Sequence, residues 1–426
     1  MIKNPSKLTI DTDSRVVLEI LNEGLESSKP SIYLEKFFRK NKIQLQGSKI
    51  NLNKFDRKFL IAIGKSAGVM GEYVSKKIQL THGIIIVPKG VKPKLKKSKF
   101  EIINAGHPLP NQNSLNAGKK LVQFINQTRT NDFVIFLISG GGSALAVLPD
   151  SISLKEKILV NEKLIRSGAN INEIACIRKH LSLIKGGRLI SNMACKGISF
   201  LVSDVIGDDI GSISSGISYY DKTSYSDALK IVKKFSLQNK LPKSALSILS
   251  SGASGKIPET PKKPRIKNLI ILKNSTCLST MKKKSKKLGY NTNVVPDITG
   301  DVNHVAQKLA ITASHGKTDC VIFGGETTVN VIGSGKGGRN QELVLRLYEK
   351  LKDKKNNYII ASIGTDGIDG NTKFAGAIIS TALNHETKKY LINNDSSSFF
   401  KKFGGLIQTG ITQNNVNDIG IILKRN

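Results

Sequence analysis

The strongest constraint in this 426-residue chain is a recurring pattern of short unbroken apolar runs, with helical periodicity between them. The runs are 58–63 (KFLIAI), 83–87 (GIIIV), 133–138 (FVIFLI), 199–203 (SFLVS), 268–272 (NLIIL), 292–296 (TNVVP), 320–324 (CVIFG) and 358–363 (YIIASI). A strand with one wet face alternates polar and apolar residues. Several of these runs do not alternate, so they read as strands covered on both faces of a parallel sheet. Amphipathic stretches such as 152–166 and 301–314 would supply the covering helices. The pattern predicts an α/β fold of two domains, each a mainly parallel sheet flanked by helices. Residues 251–265, SGASGKIPETPKKPR, carry three prolines and two glycines without periodicity, and read as a linker. The expected division is an N-terminal domain over 1–250, this linker, and a C-terminal domain over 266–426.

Composition narrows the function. No run approaches the 18 apolar residues of a membrane span, and MIKNPSKLTIDTDSR at the start lacks a signal peptide's apolar core. Cys176, Cys195, Cys277 and Cys320 are far apart and form no CxxC pair. They are expected to be buried, reduced thiols in a cytoplasmic protein. The net charge of +34 is mostly lysine, spread along the chain; arginine is scarce, aromatics are 6% and Trp is absent. Nucleic-acid surfaces favour arginine forks and stacking aromatics. The charge therefore reads as lysine-rich solvated faces, whose field also attracts small anions.

Ligands of open α/β sheets bind at the carboxyl ends of strands, so the segments after each run carry the chemistry. After 58–63 comes Gly64-Lys65-Ser66-Ala67-Gly68, half of a P-loop; the first glycine of a full one would stand where Phe59 is. A lysine at a helix start still offers a point charge to a phosphate. In NAGHPLPN, 104–111, His107 reads as part of a rigid turn. After 133–138 comes Ser139-Gly140-Gly141-Gly142-Ser143, with Leu145 where a dinucleotide fingerprint needs its last glycine. This loop is either a tight turn or a nest of N–H donors for an anion. In ACIRKHLSLIKGGRLI, 175–190, Arg178 and Lys185 are seven apart and would share one helix face, toward an anion. SDVIGDD, 203–209, places Asp204, Asp208 and Asp209 after a strand, suited to Mg²⁺ or to a general base. Segment 324–342 sets Glu326, Lys336, Arg339, Asn340 and Glu342 among glycines, and 364–376 does so with Asp366 and Asp369. Acids and bases between glycines after strands describe a metal–phosphate site.

In order, GKSA, AGHPLP, FLISGGGSAL, IRKHLSLIKGGRL, SDVIGDD, GGETTVNVIGSGKGGRNQEL and GTDGIDG resemble the glycerate 2-kinase family. Its C-terminal part is called MOFRL, and some members carry the label hydroxypyruvate reductase. The resemblance runs from about Gly64 to Leu423. It implies an ATP- and Mg²⁺-dependent enzyme that phosphorylates D-glycerate at the 2-hydroxyl to 2-phosphoglycerate, in an interdomain cleft. It also implies roles at the phosphoryl group for Lys65 and Arg339. More loosely, it lines the cleft with Ser139, Gly140, Gly141, Gly142, Ser143, Asp204, Glu326 and Asp366. Arg178, Lys185 and Asn340 join the expected binding residues. Our own assignment gives the hydroxyl proton to Asp204, which follows a strand of the domain carrying Lys65 and the glycine loop, and gives Mg²⁺ to Asp366. Whether the glycine loop holds ATP phosphates or the glycerate carboxylate stays open at this point.

Two departures stand out. The family follows its GDD with A-S-G-P-T and a P-D-P turn; here the chain reads SISSGISYYDKTS, 212–224, a change expected to loosen a loop near the substrate. The usual TGPTGTNVND reads TGITQNNVND, 409–418. The competing readings are an NAD(P)H-dependent hydroxypyruvate reductase and a nucleic-acid-binding protein. The expected partners are ATP and D-glycerate, with a homodimer as the candidate assembly and neither nucleic acid nor membrane.

Overall fold

The computed structural model describes residues 1–9, 11–315 and 318–425. It divides into two compact units, Pro30–Ile271 and Met1–Lys29 together with Leu272–Asn426.

In the unit Pro30–Ile271, strands β1 (Phe38–Arg39), β2 (Lys42–Leu45) and β3 (Ser48–Asn51) form a small antiparallel sheet. Its main sheet is built from β4 (Lys58–Ile63), β5 (His82–Pro88), β6 (Phe100–Ala105), β7 (Phe133–Ile138), β8 (Lys196–Val202) and β9 (Lys267–Leu272), in the order β6-β5-β4-β7-β8-β9. The pairings from β6 across to β8 are parallel. Every residue of β7 is buried, as its unbroken apolar run requires. Ile61, Ile63, Phe136 and Ile138 pack with Leu121 and Ile125 of the helix Gln112–Asn126. A second cluster joins the helices Leu154–Arg166, Ile171–His180, Tyr225–Lys234 and Lys243–Ala253 around Val160, Ile177 and Tyr225. Three of these helices start at capping boxes, on Ser153, Asn170 and Ser224. Each such cap contributes about 1 kcal/mol.

In the other unit the strands are β10 (Thr292–Asp301), β11 (Cys320–Thr328), β12 (Tyr358–Gly364), β13 (Gly376–Ser380), β14 (Leu406–Ile407) and β15 (Asp418–Lys424), in the order β10-β11-β15-β12-β13-β14. The α/β class holds in both units, but the expected parallel character holds only for the first sheet. In the second, β10–β11 is parallel and the other pairings among the described residues are antiparallel. Two of these come from β15, which inserts between β11 and β12 antiparallel to both, and the other two join β12, β13 and β14. Unbroken apolar runs report burial on two faces and not strand direction.

Residues 1–29 lie outside the N-terminal domain expected for them. The helix Thr12–Ser27 buries Val17, Ile20 and Leu21, and Gly24 lies so close to Met281 that a Cβ there would stand 2.5 Å from its Cγ. The segment expected as a linker is also tied down. Thr260 is buried, and the Glu259 carboxylate accepts from the Tyr225 amide at 2.9 Å. All four cysteines are buried and unpaired. Among the described residues no helix is long and apolar enough to cross a membrane.

Candidate active site

In the unit Pro30–Ile271, Lys65, the glycine loop and Asp204 follow β4, β7 and β8, three adjacent parallel strands. The first two turns interlock. Gly64 has φ +128°, and a Cβ there would sit 2.2 Å from Ser139 Oγ, so only glycine permits the approach. The Lys65 amide donates to the Gly140 carbonyl at 2.9 Å, and the Ser66 amide to Ser139 Oγ at 3.0 Å. Ser214 Oγ donates to the Ser139 carbonyl, and Lys185 Nζ to the carbonyls of Gly142 (2.9 Å) and Ser214 (3.0 Å). The loop's carbonyls are thus turned into the protein. Among the described residues no backbone carbonyl accepts from the amides of Gly141, Gly142 and Ser143. Gly141, at φ +87°, turns the chain into the short helix Gly142–Leu145. The amides of Gly141, Gly142 and Ser143 are the N–H groups that a helix start leaves without an intrahelical partner.

A cavity of about 540 Å³ opens beside the loop, bounded by Gly141, Ser143, His107, Ile158, Asn161 and Arg178, among others. Arg178 Nε donates to Asn161 Oδ1 at 2.8 Å. A Cβ on Gly141 would meet the His107 ring at 3.0 Å and Lys65 Cγ at 3.4 Å, so both side chains flank the loop. Asp204 is half-buried at the end of β8.

The charge here is lopsided. Lys157 and Lys185 are 7% and 2% exposed, and no carboxylate pairs with either among the described residues. Burial, with repulsion from Arg178, pushes the Lys157 ammonium down to about 8. Burial pushes Lys185 well below its ordinary value, helped by Lys157 and Arg178, and burial also lowers Arg178.

Three expectations need correction. The helix bearing Arg178 ends at His180, so Lys185 lies in the turn beyond it and shares no helix face with Arg178. Lys185 supports the loop's carbonyls, while Arg178 lines the cavity. Lys179, between them in sequence terms, is paired with the fully buried Asp221 at 3.2 Å. Of the segment 212–224, expected to be loosened, residues 214–215 are instead fixed. Ser214 and Ser215 are buried at positive φ (51° and 57°), Ser215 Oγ bonds Ser143 Oγ at 2.8 Å, and the Gly186 amide donates to the Ser215 carbonyl.

In the other unit the helix Arg339–Leu351 begins at Gly338. The buried Asp369 carboxylate accepts from the amides of Asn340 and Gln341, both at 2.9 Å. A Cβ on Gly338 would stand 2.3 Å from Asp369 Cγ. Burial pushes Asp369 up to about 6, against the backbone donors. Asn340 is 1% exposed and its side chain is spent on Asp369 and Ser362. It therefore supports the helix start, a different role from the ligand contact expected of it. Arg339 grips Asp418 through Nε (2.6 Å) and Nη2 (3.0 Å), and Glu326 through Nη1 (2.9 Å). Burial would lower its pKa, but the charges of Asp418 and Glu326 outweigh that and hold it above its ordinary value. Arg339 borders a cavity of about 440 Å³ with Thr327, Gly337, Glu342 and Asn371.

Asp366 and Asp418 converge at the end of β12: their Oδ1 atoms lie 3.2 and 3.4 Å from a Cβ built on Gly364. Among the described residues no group of three or more His, Cys, Asp or Glu is placed to hold a metal. Mg²⁺ in kinases takes one or two protein carboxylates and completes its shell with water and phosphate. Asp366 offers one such carboxylate, while both Asp418 oxygens are held by Arg339. Sequence reasoning passed over Asp418 and Lys157, and read His107 only as part of a rigid turn. Asp418 closes the departing 409–418 segment, where it drew notice only as part of a motif.

Residues 16–250 match the family described as a domain of unknown function (DUF4147), and residues 319–418 match the MOFRL family. The chain is 34% identical to the glycerate 2-kinase of Pyrococcus horikoshii, over 90% of each chain. The chain belongs to the glycerate 2-kinase family. It is 34% identical to the D-glycerate 2-kinase of Thermotoga maritima, over 96% of this chain and 98% of that one. The crystal structure of a Thermotoga maritima glycerate kinase superposes with a TM-score of 0.80 at 32% identity, covering 96% and 98% of the two chains. The family's two matched segments carry every residue of the sites just described, from Lys65 to Asp418, which closes the MOFRL match.

Proposed function

We propose that the chain transfers the γ-phosphoryl group of ATP to the 2-hydroxyl of D-glycerate, releasing 2-phosphoglycerate. The observation that carries this reading is the glycine loop, whose carbonyls are bonded within the protein and whose 141–143 amides have no backbone acceptor, flanked by Lys65 and Arg178. Phosphoryl transfer asks a protein for positioned cations and donors more than for covalent chemistry. Lys65 is a point charge for the phosphoryl oxygens. Arg339, held in place by Asp418 and Glu326, keeps further N–H groups for a phosphoryl oxygen. Asp204 takes the proton of the attacking hydroxyl. Asp366 would hold Mg²⁺, which when bound neutralises phosphate charge.

We assign the 540 Å³ cavity to glycerate and its carboxylate to Arg178 and the loop amides. In the lining Glu162 is paired with Arg166, while Arg178 lies near the buried Lys157 and Lys185, so an anion at Arg178 offsets the repulsion among these three cations. The hydroxypyruvate reductase reading is not favoured. A dinucleotide turn needs a third glycine and a full helix, and here Leu145 is fully buried at the end of a four-residue helix.

The test is incubation with ATP, Mg²⁺ and D-glycerate, with enolase reporting the product. The expected result is 2-phosphoglycerate from the wild type and a loss of about 10²–10³-fold in kcat for Lys65→Ala. Absence of product, or an unchanged rate in both Lys65→Ala and Arg339→Ala, overturns the proposal.

A further inference from the structure

The main sheet of Pro30–Ile271 has a second basic cavity at its other end. It lies at the amino ends of β7, β8 and β9, where Phe133, Lys196 and Lys267 begin those strands. Six residues of strand, at about 3.3 Å each, set it roughly 20 Å from the glycine loop. The cavity is about 650 Å³ and is bordered by Lys49, Lys54, Lys196, Arg265 and Lys267, with no carboxylate in its lining. A lysine-rich chain puts lysine everywhere, so composition has to be discounted. At the overall ratio of 66 basic and 32 acidic residues in 426, a lining of this size would carry roughly two cations and one acid. It carries more than twice those cations and none of the acid.

Two features make this more than a patch of solvated lysines. Arg265 is anchored, its Nη2 donating to the Met193 carbonyl at 2.7 Å, so the guanidinium is held at the rim before any ligand arrives. Phe55, half-buried, rests on Phe133 with ring centroids 4.7 Å apart, which gives one wall an aromatic surface. The nearby carboxylate of Asp132 is neutralised by Arg57, at 2.9 and 2.7 Å, and does not offset the lysines.

We propose that this cavity binds a nucleoside di- or triphosphate, at a site separate from phosphoryl transfer. The lysines and Arg265 take the phosphates and Phe55 takes the base by stacking. The site stands on its own geometry and does not depend on the kinase reading. A nucleotide held there would let the enzyme sense the ratio of its nucleotide substrate to product.

The experiment is amide hydrogen exchange on the full chain at 0.15 M KCl, with ATP, pyrophosphate or sodium sulfate at matched ionic strength. ATP is expected to slow exchange in peptides covering 49–56, 192–198 and 263–268, by roughly tenfold at ten times its dissociation constant. The double variant Lys54→Gln/Arg265→Gln should lose that protection and keep any at 139–143; Lys54→Gln alone should weaken it. Protection by ATP at 139–143 without change in the three peptides overturns this proposal and leaves the kinase reading standing. Equal protection by sulfate or by pyrophosphate overturns it too, because the base would then contribute nothing. Loss of ATP protection at 139–143 alone counts against the kinase reading and not against this site.

Discussion

The two units treat a buried cation in opposite ways. In Pro30–Ile271, Lys157 and Lys185 sit inside the protein near Arg178 with no carboxylate partner, and burial pulls their pKa values down. In the MOFRL unit, Arg339 is less enclosed, its side chain 32% exposed, and is gripped by Asp418 and Glu326, and its pKa is held up. A cation that is already paired has its geometry fixed and its charge spent locally. A cation without a partner keeps its field for a ligand. The first arrangement suits an orienting fork, and the second suits an anion-binding pocket. Desolvation acts on both; the neighbouring carboxylates decide the outcome.

The largest test removes the paired cation. Arg339→Ala should lower kcat by about 10³-fold or more, the usual worth of an arginine at a transferring phosphoryl group. It should also destabilise the fold by roughly 3–5 kcal/mol, because Asp418 is left 6% exposed without its partner. Single-turnover kinetics and urea unfolding separate the two effects. If Arg339→Lys restored kcat fully, the fork geometry would be irrelevant and the comparison would fail.

The unpartnered cation is tested by relieving it. Lys157→Met keeps volume and removes the charge. The folded pKa of about 8 lies below the ordinary lysine value of 10.5, so the unfolded chain binds this proton more tightly. Below pH 8 both states carry it and the full cost, about 3 kcal/mol, is present. From pH 8 to 10.5 the folded state alone loses the proton, and wild-type stability rises with pH. Lys157→Met should therefore be the more stable protein at pH 7, with the advantage gone by about pH 10. Unfolding midpoints of both proteins at pH 7, 8.5 and 10 check this. A constant difference across that range breaks the comparison.

A smaller effect is expected in the glycine loop. Gly142→Ala would place a Cβ 2.1 Å from Ser214 Oγ and displace the carbonyl that Lys185 holds. The cost should be about 1–3 kcal/mol, with KM for glycerate raised. Thermal unfolding and initial rates measure the two separately.

Much of this was legible in the sequence, and the limits have physical causes. The run FVIFLI gave away a strand buried on both faces, and SGGGS after it gave away a tight glycine turn at the strand's carboxyl end. Strand direction in the second sheet was not legible, because β15 comes from the chain's end and pairs by tertiary insertion. The helical shelter of Lys185 was misread because a seven-residue spacing means one face only while the helix continues, and it stops at His180. Asn340 stood in the right motif yet faces inward, since Asp369 claims the first turn of its helix. Asp418 was passed over because its importance comes from Arg339, which is 79 residues away in the chain.

The smallest predicted effect bears on the 212–224 stretch, where the family's prolines are missing. Loss of proline adds freedom to the unfolded chain and is expected to loosen the folded loop as well. The structure replaces that stiffness with contacts: Ser214 and Ser215 are buried at positive φ, and the Ser143–Ser215 hydroxyl pair ties the stretch to the glycine loop at 2.8 Å. Ser143→Ala removes one hydroxyl of that pair and leaves the loop's amides untouched. It should cost about 1 kcal/mol in stability, the net worth of one such hydrogen bond. KM for glycerate should rise and kcat stay nearly unchanged, because the amides would be positioned less tightly while Lys65 keeps its place. A silent Ser143→Ala in both unfolding and KM would mean that the stretch is loose after all, and that the glycine loop is held by Lys185 and Ser214 alone.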